Sequence, residues 1–145
     1  MGKYVFGLEQ VLNYRKEMEK MRKLEFAEAK RDFEGARDRL ADEENRVRFL
    51  GNEFLTLQRE GMSAVDLQMY ADFFRRKKVD IQLQQERVVS LATQMGERQD
   101  VLAEAAKDKK VLESLKEKKV RLHLREMQEK EQAFLEELAL RGKGY

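Results

Sequence analysis

Apolar residues recur every seven positions along the first sixty residues of the chain. The first seam position is Leu12, Glu19, Phe26, Phe33, Leu40, Val47 and Phe54, and its partner three residues on is Arg15, Arg22, Ala29, Ala36, Glu43, Leu50 and Leu57. A second repeat follows, with Phe74, Ile81, Val88, Met95, Leu102 and Lys109 at the first position and Lys77, Gln84, Leu91, Arg98, Ala105 and Leu112 at its partner. Heptads sustained this long, with charges between them, argue coiled coil. Between the two repeats lies Glu60-Gly61-Met62-Ser63. One short turn between two such helices predicts an all-α, two-helix antiparallel coiled-coil hairpin. We expect a single elongated domain over residues 1–145, with helix 1 over about 5–59, the turn over about 60–63 and helix 2 over about 64–140.

Gly61 suits the left-handed conformation that ends a helix, and Ser63 with Asp66 forms a Ser-x-x-Asp cap for the next one. A turn here pairs residues whose numbers sum to about 124, by the geometry of antiparallel helices. Phe33 then meets Leu91, Ala36 meets Val88, Ala29 meets Met95 and Leu12 meets Leu112. Large residues mostly face small or flexible ones, as a seam without voids requires. The arms are unequal, about 80 Å and about 115 Å at 1.5 Å per residue, so roughly 20 residues of the second overhang the first. That overhang carries Leu124, Met127, Phe134, Leu135 and Leu138 without an intrachain helix to meet. An apolar stripe in that situation is either frayed or awaits another protein.

Composition supports a thin seam over a thick core. The 145 residues are 40% charged and include no proline, cysteine or tryptophan, against about 25% charged in an average globular domain. The net charge of +2 sets up no strong field for nucleic acid or anionic lipid. Lack of cysteine rules out disulfides and thiolate metal sites. Met1-Gly2-Lys3 is not followed by a signal-peptide core, and Phe6 stands where a myristoylation motif has Ser or Thr. No stretch approaches the ~20 apolar residues of a membrane span, so the expectation is a soluble, cytoplasmic protein.

Several segments depart from a self-sufficient hairpin. At its base, Arg15, Glu19 and Arg22 hold seam positions while Val11, Met18 and Met21 offer apolar surface beside them. A base looser than the middle is expected, either through local re-registration or as a partner surface. Gly35, Gly51 and Gly96 lie inside predicted helix at about 1 kcal/mol each relative to alanine, and Gly51 and Gly96 are candidate bend points. Phe49, Leu55 and Phe73 fall off the seam near the turn. They either wrap the hairpin end as a cap or form an exposed recognition patch. From Lys107 to Arg125 lysine and arginine dominate, which reads as a solvated face or as a contact for an acidic partner. That run lacks the interleaved aromatics of a nucleic-acid site. The tail from Arg141 to Tyr145 is expected to fray.

Candidate chemistry is sparse. The single histidine, His123, has no metal-ligating neighbours and reads as a surface residue. No Gly-rich phosphate loop or Walker lysine occurs, and no cleft gathers the carboxylates. We therefore expect no catalytic residue, no metal, no cofactor and no enzyme activity.

The chain resembles the FliJ family, the coiled-coil stalk protein of the flagellar type III export apparatus. The resemblance covers essentially the whole length. It rests on Phe6-x-Leu8-x-x-Val11-Leu12-x-x-Arg15-x-x-x-Glu19 and on Gly61-Met62-Ser63 leading to Tyr70 and Phe73-Phe74. Lys107-Asp108-Lys109-Lys110-Val111-Leu112-Glu113-x-Leu115 and Phe134-Leu135-Glu136-Glu137-Leu138-Ala139-x-x-Arg141 complete it.

The resemblance implies a hairpin like the central stalk of rotary ATPases. Its joined termini would bind the hexameric export ATPase, and its apex the cytoplasmic domain of the export gate. Some members also bind export chaperones, and membrane association runs through partners only. On this chain the implied ATPase-binding residues are Leu8, Val11, Met18, Lys116, Lys119, Met127, Phe134 and Leu138, and the gate-binding residues are Leu50, Tyr70, Phe73 and Lys77. Lys77, Asp80 and Gln84 make the gate face more polar than a typical contact stripe. The alternatives are the stalk protein of a virulence type III secretion system and, from another class, a nucleic-acid-binding hairpin. Steep salt dependence would mark the latter.

Overall fold

Without proline nothing interrupts the backbone ladder. In a computed structural model describing residues 4–143, α1 spans Glu9–Glu60 and α2 spans Ala64–Lys143. The two helices pack against each other as a hairpin, and no strand occurs among the described residues. Both helices run unbroken through Gly35, Gly51 and Gly96.

α1 starts at Glu9 rather than near Val5. The Phe6 carbonyl accepts the Glu9 N–H at 3.1 Å and the Leu8 carbonyl accepts the Leu12 N–H at 2.9 Å. Phe6 is only 6% exposed. At the other end Gly61 adopts φ 103°, a conformation a Cβ would strain. Its N–H donates to the Gln58 carbonyl at 3.4 Å. Ser63 Oγ then accepts the Asp66 N–H at 3.2 Å, capping α2. Met1, Gly2 and Lys3, where the leader and myristoylation readings fall, lie outside the described residues, as do Gly144 and Tyr145 of the tail.

The chain divides into two compact units, one formed by residues 23–101 and one by residues up to 22 together with those from 102 on. In the first unit, the α1 seam positions from Phe26 to Phe54 are buried or half-buried, with exposed residues predominating between them. Ala36, 7% exposed, lies deepest. The same holds on α2 for Phe74, Lys77, Ile81, Gln84, Val88, Leu91 and Met95. Leu57 and Arg98 are the seam positions that stay exposed. Phe54 packs on Tyr70 with centroids 5.2 Å apart and on Phe74 at 5.7 Å. Glu43 accepts from Lys77 across the pair, and Arg98 Nη1 lies 3.5 Å from Glu25. The residue numbers in Phe54–Tyr70 and Arg98–Glu25 sum to 124 and 123. A slip of one heptad would shift that value by seven. Cysteines replacing Ala36 and Val88 should therefore form an intrachain disulfide, read as a mobility shift on a non-reducing gel. Cross-linking only of a pair displaced by seven residues would show the register to be wrong.

In the second unit the expectation of a loose base is overturned. Leu12 (1% exposed), Phe6 and Glu19 (6% each) are among the most buried residues of the molecule. Glu19 is held by Lys109 Nζ at 2.8 Å, Arg15 reaches Asp108 at 3.0 Å, and Lys116 reaches Glu9 at 2.9 Å. The polar seam positions of one helix thus meet opposite charges from the other. Lys109 and Lys116 of the predicted solvated run are cross-helix ties, while Lys107, Lys110, Lys118, Lys119, Arg121 and Arg125 are exposed, as a solvated face requires.

These ties give the pair a pH dependence of known sign. The hydrogen bond from Lys77 holds the Glu43 carboxyl below the usual carboxylate range; burial opposes it, and the charges of Lys77 and Arg46 add to the lowering. Its contribution is complete above the ordinary carboxylate value of about 4.3 and is lost as pH falls through the lower folded value. The Lys109 ammonium is raised by its bond to Glu19, so its contribution is complete below about pH 10.4 and lost as pH rises through the higher folded value. Glu43→Gln should flatten the acid limb of a melting-temperature profile. An acid limb identical to that of the parent chain would show that the pair contributes nothing.

Candidate docking surfaces

The apical surface is built by the first turns of α2 and the last turns of α1. Met69, Tyr70, Phe73 and Arg76 recur at helical spacing and, with Leu50, line a shallow pocket of about 360 Å³. Three of the four gate candidates, Leu50, Tyr70 and Phe73, come together there. The fourth, Lys77, pairs with Glu43 and sits 5.8 Å from the Phe73 ring centroid, so its charge is already engaged. Sequence reasoning missed Met69 and Arg76. The signal available was their three- and four-residue spacing from Tyr70 and Phe73.

A cap of Phe49, Leu55 and Phe73 does not form. Phe49 is 62% and Leu55 53% exposed, while Phe73 packs edge-on against Phe74 at 5.4 Å. Phe54, Tyr70 and Phe74 already fill the space between the helices. Helical geometry turns Phe49 and Leu55 away from it. Val65 and Met69 add to the exposed apolar surface on α2.

The second surface lies in the unit formed by the chain ends. Leu8 and Val11 are each 41% exposed, and Met18 is half-buried. Lys116 borders a groove of about 470 Å³ that Leu12, Glu113 and Val120 also line. Lys119 points to solvent. His123 is a correction: Tyr4 packs on its ring at 5.2 Å, and the histidine is half-buried. Beyond it α1 has no residue left to cover α2. Met127 remains half-covered, and every described position from Gln128 to Gly142 is exposed, including Phe134 (59%) and Leu138 (47%). Leu124, Leu135 and Leu140 are exposed as well.

No group of metal-ligating side chains that could hold an ion occurs among the described residues. No helix there is long and apolar enough to cross a membrane. Taken together, the seam and the turn define an all-α helical-hairpin protein with surplus apolar surface exposed at its apex and on the last turns of α2. A family model described as flagellar FliJ protein matches residues 5–143, and the chain belongs to that family. Membership makes it a component of the flagellar export apparatus, within a type III secretion system, in a family of structural export components not known as enzymes. No curated protein and no solved structure matches the chain.

Proposed function

We propose that this protein is the stalk-like adaptor of the export apparatus, docking the hexameric export ATPase through its joined chain ends and the cytoplasmic domain of the export gate through its apical pocket. The observation that carries the first half is the stripe of the half-covered Met127 and the exposed Phe134 and Leu138 on a helix continuing about 20 residues past His123, where Tyr4 packs on it. Leu8, just before α1, and Val11 and Met18 on it add further apolar surface, while the exposed Lys119 supplies charge for acidic groups on the ATPase, one turn from Lys116, which is tied to Glu9. Export chaperones are further partners, and the protein reaches the membrane through these contacts. The match to the flagellar family favours this reading over a virulence-system stalk.

Pull-down with the tagged chain from flagellated cells should recover the export ATPase, and binding of the purified partners should confirm direct contact. Failure of the purified pair to bind would remove the ATPase reading.

The apical half of the proposal has its own test. Phe73→Ala opens the pocket but leaves Phe54, Tyr70 and Phe74 in place. Gate binding should weaken by about tenfold, the loss expected when a contact of about 1.4 kcal/mol is removed. The melting temperature should move little. A large fall in melting temperature with unchanged gate affinity would make Phe73 a structural residue.

A further inference from the structure

α2 separates its charges along its length. From Lys107 to Arg125 it carries eight lysines and arginines against Asp108, Glu113 and Glu117; from Glu126 to Glu137 it carries five glutamates against Lys130 alone. The separation is sharpest on the face turned away from α1. There Lys107, Lys110, Val111, Ser114 and Lys118, with the half-buried Leu115, line a groove of about 620 Å³. Further along the same face come the exposed Leu122, Arg125, Glu129 and Glu136. Among the described residues none of Lys110, Lys118, Glu129 and Glu136 has an intrachain ion pair.

We propose that this outer face of α2 binds a second copy of the chain, antiparallel, the acidic segment of each copy lying along the basic groove of the other. Setting Lys118 opposite Glu129 of the second copy fixes the register. Val111, Leu115, Lys118, Leu122, Arg125, Glu129, Gln132 and Glu136 alternate at four- and three-residue steps, the spacing at which one helix packs along another. The same register sets Glu136 of one copy beside Val111 and near Lys110 of the other. Leu122 meets the aliphatic stem of Arg125, which covers apolar surface while its head stays in water. Each ion pair occurs twice by symmetry.

Other occupants fit less well. A parallel copy would set lysines against lysines. Nucleic acid would find no aromatic ring in the groove to stack on. A lipid surface would gain only Val111, Leu115 and Leu122 from a face without aromatic residues. The stripe of Met127, Phe134 and Leu138 lies on another side of α2, so this association stands apart from the proposed ATPase docking and leaves that stripe uncovered.

Charge reversal in the full-length chain tests the proposal. Sedimentation at low ionic strength, where the Debye length is about 30 Å, should show a monomer–dimer equilibrium. It should collapse to monomer in about 1 M salt, where the Debye length is about 3 Å. Lys118→Glu and Glu129→Lys should each raise the dimer dissociation constant at least about tenfold, since each turns two attractions into repulsions. Mixing the two variants should restore a heterodimer, and the double variant should self-associate again. Both positions are exposed, and unchanged helicity by circular dichroism would confirm that the variants fold. A chain that stays monomeric at millimolar concentration and low salt would overturn the proposal. So would a dimer indifferent to both reversals. Binding of anionic phosphatidylserine vesicles by a monomeric chain, lost in Lys118→Glu, would assign the face to lipid instead.

Discussion

Deleting the chain from Glu126 onward should abolish or greatly weaken binding to the export ATPase while leaving the hairpin folded. The ties between α2 and the amino-terminal arm end earlier, with Tyr4, before α1, on His123 and Glu9 on Lys116. Apart from the half-covered Met127, the described residues of the deleted segment are exposed, so its removal uncovers little of the seam. It does remove Met127, Phe134 and Leu138, a stripe whose burial is worth about 1.5–3 kcal/mol for each side chain fully covered. An isolated helix this long is marginal in water, because helical stability comes mostly from packing. Part of the docking energy therefore goes into ordering the segment, and affinity should still fall by at least about a hundredfold on truncation. Melting and ATPase turnover, measured side by side for both forms, separate folding from docking. Full stimulation of the ATPase by the truncated chain would show that the overhang is not the docking element.

Leu12→Ala should produce a large loss of stability. Leu12, 1% exposed, is the one large side chain that is fully buried among the described residues. Truncating a buried leucine destabilises by about 2–5 kcal/mol, depending on how far the site collapses. Leu12 borders the groove formed with Glu113, Lys116 and Val120, so solvent reaches the vacated space and the lower end, about 2–3 kcal/mol, applies. For a chain of this length that corresponds to a fall of about 4–12 °C in melting temperature. Val11→Ala, one position away and 41% exposed, should shift it by far less. Equal shifts for the two variants would mean that the unit around Leu12 does not melt with the seam. Because the unit holding Leu12 also carries the proposed ATPase surface, Leu12→Ala should weaken docking only at temperatures where it unfolds.

The hairpin, its turn and the seam positions were legible in the sequence because each has a local cause. A seven-residue period places Phe33, Ala36 and Leu40 on one face of a helix whatever the rest of the chain does. Gly61 and Ser63 end one helix and begin the next through their own backbone and hydroxyl chemistry. The overhang followed from counting residues on either side of that turn. What charged seam residues would do was not legible, because it depends on the residue opposite. Glu19 alone looks like a defect; against Lys109 at 2.8 Å it is among the most buried residues of the chain. Lys109, Lys116 and Asp108 looked like parts of a solvated run until α1 supplied Glu19, Glu9 and Arg15 within reach. His123 gained a ring partner from Tyr4, a residue outside both heptad repeats. Periodicity, set by neighbours along one helix, was thus determined by the sequence. Pairing was decided only when the turn brought distant residues together, since a long side chain reaches any of several positions across the seam and its choice depends on the charge waiting there.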